Sequence, residues 1–151
     1  MSEVAIRKAR LMDVSGLTSL LYGYLAFYKR PIPPEERIKE MITHLVHHPE
    51  EGFQLVAEED GRLLGFTTVN AIWSTTRMQK IALLNDLFID PQHRRKGIGE
   101  ALLTSAIQLA KEKGYPLVRL LTAADNSTAQ SLYDKTGGNA PGWKVYDYPL
   151  E

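Results

Sequence analysis

The chain has 151 residues, with 18 basic and 18 acidic side chains in balance and no cysteine. That length suits one compact domain with a core, and the balanced charge argues against nucleic-acid or anionic-membrane partners. The lack of cysteine excludes disulfides, thiolate-bound metal and a catalytic thiol; with no membrane-length apolar window and no signal-peptide h-region in "MSEVAIRKAR", a cytoplasmic location is expected.

"EVAIRKA" alternates as a first strand, with Val4 and Ile6 on one face. Asp13 is placed to cap a helix carrying Leu17, Leu20, Leu21, Tyr24 and Tyr28 at three- and four-residue steps. Pro31, Pro33 and Pro34 break it, and Pro34 suits the first position of a second helix with Glu35 and Glu36 in its first turn. "GFQLVAEEDGRLLGFTTVNAIW" reads as a hairpin turning at Asp60-Gly61. A strand from about Ile81 to Ile89 ends at Pro91. A long helix from Ile98 carries apolar residues at 98, 102, 106, 109 and 110 and stops near Gly114. "PLVRLLTA" suits a buried strand, "NSTAQSLYDKTGG" a short helix closed by Gly137-Gly138, and "WKVYDYPL" a last strand. The order β-α-α-β-β-β-α-β-α-β predicts a single α/β domain over 1–151 with a mixed sheet.

The turn after Asp90 gathers three anion-binding devices. A helix N-terminus presents unpaired N–H groups and about half a positive charge. Gly97 and Gly99 let a bulky anion approach the backbone, and Arg94, Arg95 and Lys96 add full charges. A pyrophosphate would offset both the charge repulsion and the cost of two glycines. The spacing departs from a dinucleotide fingerprint, because the third glycine position is Leu102, and no Gly-Lys-Ser/Thr P-loop is present.

Farther along, Asn126 and Tyr133 stand seven residues apart on one helix face with Ala129 between them. Such a face makes a narrow polar track for an elongated ligand with amide groups; the same residues also suit an ordinary helix cap and a core aromatic.

Taken together, "RRKGIG" and "NSTAQSLYDKTGG" resemble the Gln/Arg-x-x-Gly-x-Gly/Ala and Asn-x-x-Ala-x-x-x-Tyr signatures of the GNAT superfamily of acyl-CoA-dependent N-acyltransferases. "LNDLFIDP" and "YGYLAFYKR" are most similar to its histone, polyamine and diamine acetyltransferase branch. The resemblance implies a mixed, mostly antiparallel sheet flanked by about four helices, and acetyl-CoA as acyl donor to a primary amine of a small molecule or peptide. It implies that backbone N–H groups of Arg95, Lys96, Gly97, Ile98, Gly99 and Glu100 hold the coenzyme A pyrophosphate, with Arg94 at the signature's Gln/Arg position. Leu87, Phe88 and Ile89 would line the pantetheine arm, Asn126 would hydrogen-bond it, Ala129 would leave it room, and Tyr133 would serve the departing thiolate as catalytic acid. A phenol, with an ordinary pKa of about 10, acts on a thiolate mainly by hydrogen bonding. Without cysteine, direct transfer in a ternary complex is expected.

Two positions depart from the diamine branch. Asn85 stands where those enzymes carry a glutamate base, and strand alternation turns the adjacent Asp86 to the opposite face unless a bulge intervenes. Water relay, Asp86 or self-deprotonation of the substrate remain the options for the base. Lys29 stands where an acidic residue is usual, which disfavours polycations. Tyr24, Tyr28 and Trp73 are candidates for lining the acceptor pocket. His44, His47 and His48 have metal-ligand spacing with no carboxylate obviously placed to complete a set, so no metal is expected. A homodimer is expected by the resemblance, although the tail after Gly138 is short for the two usual closing strands. The rival class is a non-catalytic acyl-CoA-binding module, for which Asn85 is the best sequence support.

Overall fold

A computed structural model describes residues 3–94 and 96–150; Arg95 of the basic triplet lies outside the described residues. Residues up to Leu121 form one compact unit and those from Thr122 a second. The first unit contains β1 (Ala5–Lys8), α1 (Val14–Phe27), α2 (Glu35–His47), β2 (Gly52–Glu59), β3 (Arg62–Ser74), β4 (Gln79–Ile89), α3 (Ile98–Glu112) and β5 (Val118–Leu120). The strands lie in the order β1-β2-β3-β4-β5. Neighbours are antiparallel except β4 and β5. Those two are joined through α3, and a parallel pair requires such a crossover.

The hairpin forms at Asp60 and Gly61, both with positive φ (51° and 78°), the backbone of a type I′ turn. One face of the sheet packs Val56, Phe66 and Phe88 against Leu17, Leu20 and Leu21 of α1 and Ile38 and Ile42 of α2. The next residue on β4, Ile89, faces Gly99 of α3, so α1 and α3 cover opposite faces. Ile98, Leu102, Leu103, Ala106 and Ala110 form the buried stripe of α3. Positions 98, 102, 106 and 110 are those read from the sequence, whereas Leu103 joins them and Leu109 is only partly buried.

Four expectations need correction. Pro34 precedes α2, which begins at Glu35, and β5 is part-exposed rather than buried. Asp13 occupies the position before α1 without capping it. Its carboxylate instead accepts two 2.8 Å hydrogen bonds from the Arg7 guanidinium and one of 2.7 Å from Arg10 N–H. A full cation attracts a carboxylate more strongly than neutral helix N–H groups do, and it holds the Asp13 carboxyl below its ordinary range. The last run, "WKVYDYPL", is not a strand. Trp143, Val145, Tyr146, Tyr148 and Leu150 are 61–94% exposed. Alternation marks a chain that can join a sheet, but a strand is stabilised only by a paired edge, and the second unit supplies α4 (Ser127–Lys135) without another strand among its described residues.

Candidate functional site

The cation-glycine turn is anchored at both ends. Asp90 Oδ1 accepts from Gln92 N–H at 3.1 Å, setting the turn that leaves β4. Arg94 bends back: its Nε donates to Ile89 O at 3.0 Å, and its guanidinium lies 5.3 Å from the Phe27 ring and 5.5 Å from the Phe88 ring. Arg94 therefore fastens the loop to the end of β4, while Lys96 is exposed. At the other end, buried Ile98 anchors the start of α3 in the core.

Between these anchors the two glycines differ in kind. Gly97 has φ 78°, a left-handed backbone that disfavours any side chain with a Cβ. Gly99 is helical, and a Cβ there would meet only Ile89 Cγ1, at 3.8 Å. Alanine would fit and would favour the helix by about 1 kcal/mol. Nothing in the packing of the described residues calls for glycine at that position. The first intrahelical bond runs from Ala101 N–H to Gly97 O at 3.0 Å, so the N–H groups of Ile98 and Gly99 precede the ladder.

A second opening adjoins the turn. β4 pairs with β5 only from Ala82↔Val118 to Leu84↔Leu120. From there to Ile89 β4 pairs with β3 alone among the strands of the described residues, which leaves Leu87, Phe88 and Ile89 on a sheet edge. The Phe88 side chain is buried toward α1.

The ladder between β3 and β4 contains a bulge. Thr68 pairs with Asp86 and Val69 with Leu84, leaving Asn85 as the extra residue. Asn85 Nδ2 donates to Asn70 Oδ1, and Asp86 Oδ1 accepts from Thr68 N–H at 2.6 Å. Asn70 and Thr68 are two residues apart and share a face, so the consecutive Asn85 and Asp86 side chains reach one row of β3. The alternation expected from sequence, which separates them, is broken here. Gln54 Nε2 donates to Thr68 Oγ1 at 3.0 Å, and Gln54, Thr67 and Thr68 are all buried. Burial pushes the Asp86 carboxyl up to about 7, outweighing the hydrogen bonds from Thr68 that lower it.

The candidate acceptor aromatics separate into different environments. Tyr24 packs in the core, its ring 5.9 Å from Phe66 and 6.0 Å from Phe88. Tyr28 is half-exposed at the end of α1, 5.0 Å from Tyr24. Trp73 is 72% exposed far along β3, with Lys80 Nζ 5.6 Å from its ring. Lys29 follows α1 with a left-handed φ of 53°.

In the second unit, Asn126 caps α4, its Oδ1 accepting from Ala129 N–H at 3.1 Å. Tyr133 follows two turns on and is partly buried. The helix closes with Gly138 N–H donating to Tyr133 O at 2.9 Å, after Gly137 at φ 99°.

Residues 18–138 match the model of the Acetyltransferase (GNAT) family. The uncharacterized N-acetyltransferase YhfO of Bacillus subtilis is 34% identical over 132 residues, 87% of each chain. The crystal structure of a probable acetyltransferase superposes with TM-score 0.85 at 27% identity, covering 97% of this chain and 98% of the other. An aminoglycoside N-acetyltransferase solved in complex with CoA shares the fold, with TM-score 0.83 at 15% identity over 99% and 97% of the two chains.

Proposed function

Since the chain belongs to the GNAT acetyltransferase family, we propose that it moves an acetyl group from acetyl-CoA to a primary amine of a small molecule or peptide, directly in a ternary complex. The observation that carries the donor half is Gly99, a helical glycine with space above it at a helix N-terminus. Pyrophosphate oxygens accept from the N–H groups of residues 95–100, with Lys96 adding charge and Arg94 holding the loop in place. The pantetheine amides add to the open edge at Leu87–Ile89. Asn126 and Tyr133 take the roles that their signature positions imply, at the pantetheine arm and at the sulfur.

We assign the base to Asp86. An alkylammonium has an ordinary pKa of about 10 and must lose a proton before it attacks. A carboxyl raised to about 7 is half-ionised near neutrality and is a stronger proton acceptor than an ordinary aspartate. The bulge puts it on the same row as Asn85, the position at which diamine acetyltransferases carry their glutamate. The freed amine attacks the thioester carbonyl carbon and a tetrahedral oxyanion forms beside backbone dipoles. The C–S bond then breaks, the nitrogen gives up its second proton, which passes to the departing thiolate that Tyr133 hydrogen-bonds, and the amide and the coenzyme A thiol remain. With no cysteine, no thiol-linked acyl-enzyme can form, and ping-pong kinetics would refute direct transfer.

A test is thiol release from acetyl-CoA across amines, amino acids and peptides, with coenzyme binding measured separately. The hydrogen bond that engages Asn85 with Asn70 favours a second reading, a non-catalytic acyl-CoA-binding module. That reading expects binding without turnover on any amine.

A further inference from the structure

α2 and the residue after it carry His44, His47 and His48, for which the sequence spacing supplies no carboxylate partner. The fold does supply one. Glu51, the last residue before β2, places Oε2 2.8 Å from His44 Nε2. The His44 and His48 rings stack with centroids 4.0 Å apart and planes 19° from parallel. One ligand atom from each of His44, His48 and Glu51 lies within 4.8 Å of the others.

We propose that His44, His48 and Glu51 form a binding site for one divalent transition-metal ion, with zinc the best match, clipping the end of α2 to the start of β2. Two imidazoles and one carboxylate are a zinc donor set that leaves a fourth position for water. Ligand atoms about 2.0–2.1 Å from a tetrahedral ion stand about 3.3 Å from one another. The present spacing brackets that value, and His44 and Glu51, 49% and 51% exposed, have room to adjust by small side-chain rotations.

Three features prepare the site. His48 Nδ1 lies 2.8 Å from the His44 backbone oxygen, which can only accept. Nδ1 therefore carries the proton and Nε2 holds the lone pair, the outer hydrogen bond usual for a metal-ligating histidine. The backbone of Glu51 is fixed at both ends, its N–H donating to His48 O and its carbonyl accepting from Ala71 N–H, each at 2.9 Å. The C-terminal end of α2 carries partial negative charge, which favours a cation there. Lys113, whose Nζ donates to Pro49 O at 3.3 Å, is the nearby positive charge that opposes it. Binding replaces the hydrogen shared by His44 and Glu51 with the ion, and the ring proton of neutral His44 moves to Nδ1.

None of the three residues takes part in the proposed acetyl transfer, so the two readings fail separately. The test uses the full chain without an affinity tag. Zinc is titrated in competition with a chromophoric chelator, and cobalt in its place is followed by visible absorption. One ion per chain is expected, with a tetrahedral cobalt spectrum and a rise in Tm on adding zinc. His44→Ala and Glu51→Gln should each weaken zinc binding by at least about tenfold. His47→Ala should leave it unchanged. His48→Gln, an independent ligand deletion, should weaken zinc binding likewise, and an unchanged far-UV circular dichroism spectrum serves as the folding control. Absence of one-to-one binding, unchanged affinity in the His44→Ala/Glu51→Gln double variant, or an equal loss in His47→Ala would overturn the site.

Discussion

Asp86→Asn separates the demands of catalysis from those of stability. The wild-type carboxyl is raised from 3.8 to about 7 because its charged form is buried. A raised carboxyl holds its proton more tightly in the folded state. Its contribution to stability is thus fully present below about pH 3.8 and is lost as pH rises through about 7. The full gap corresponds to about 4 kcal/mol at about 1.4 kcal/mol per tenfold. Asparagine stays neutral, keeps an oxygen to accept from Thr68 N–H, and carries no such penalty. Denaturant unfolding of both proteins from about pH 4 to about pH 9 should show the variant gaining relative stability up to about 7 and then levelling off. Activity should move the other way. Loss of the base lowers kcat/KM by about 10²- to 10⁴-fold and removes the ascending limb centred near 7, with acetyl-CoA affinity unchanged. A pH-independent stability difference would refute the buried charge, and a surviving limb near 7 would refute Asp86 as the base.

Tyr133→Phe should retain coenzyme binding and lose turnover, read by isothermal titration beside thiol release; unchanged turnover across pH would exclude the assigned acid. Gly97→Glu with Gly99→Glu should abolish acetyl-CoA binding, because two carboxylates would occupy the anion's place. Gly99→Ala should instead weaken binding without destabilising the fold, since its Cβ meets only Ile89 at 3.8 Å. Asp13→Ala should cost about 2–3 kcal/mol in chemical denaturation by leaving part of the Arg7 fork unpaired. In the wild type the lowered Asp13 carboxyl adds stability that is present above its unfolded value and lost in acid as pH falls through the folded one.

The sequence by itself determined the features that depend on neighbouring residues. Asp60-Gly61 demanded a tight turn, since few other pairs tolerate two positive φ values in succession. The step of three and four from Ile98 fixed most of the buried face of α3, and Gly97 marked its N-terminus. Features that depend on which strand lies beside which were decided only by the tertiary structure. The run Ile81–Ile89 contains no glycine or proline to mark a break, so the bulge at Asn85 appears only in the register with β3. It is that register, together with burial beside Thr68 and Gln54, that sets the charge on Asp86. The same holds for Asp13, drawn from its cap by Arg7 of β1, and for Glu51, brought to His44 by the turn into β2. The closing run shows the complementary case, because alternation in "WKVYDYPL" cannot make a strand where no edge is paired with it.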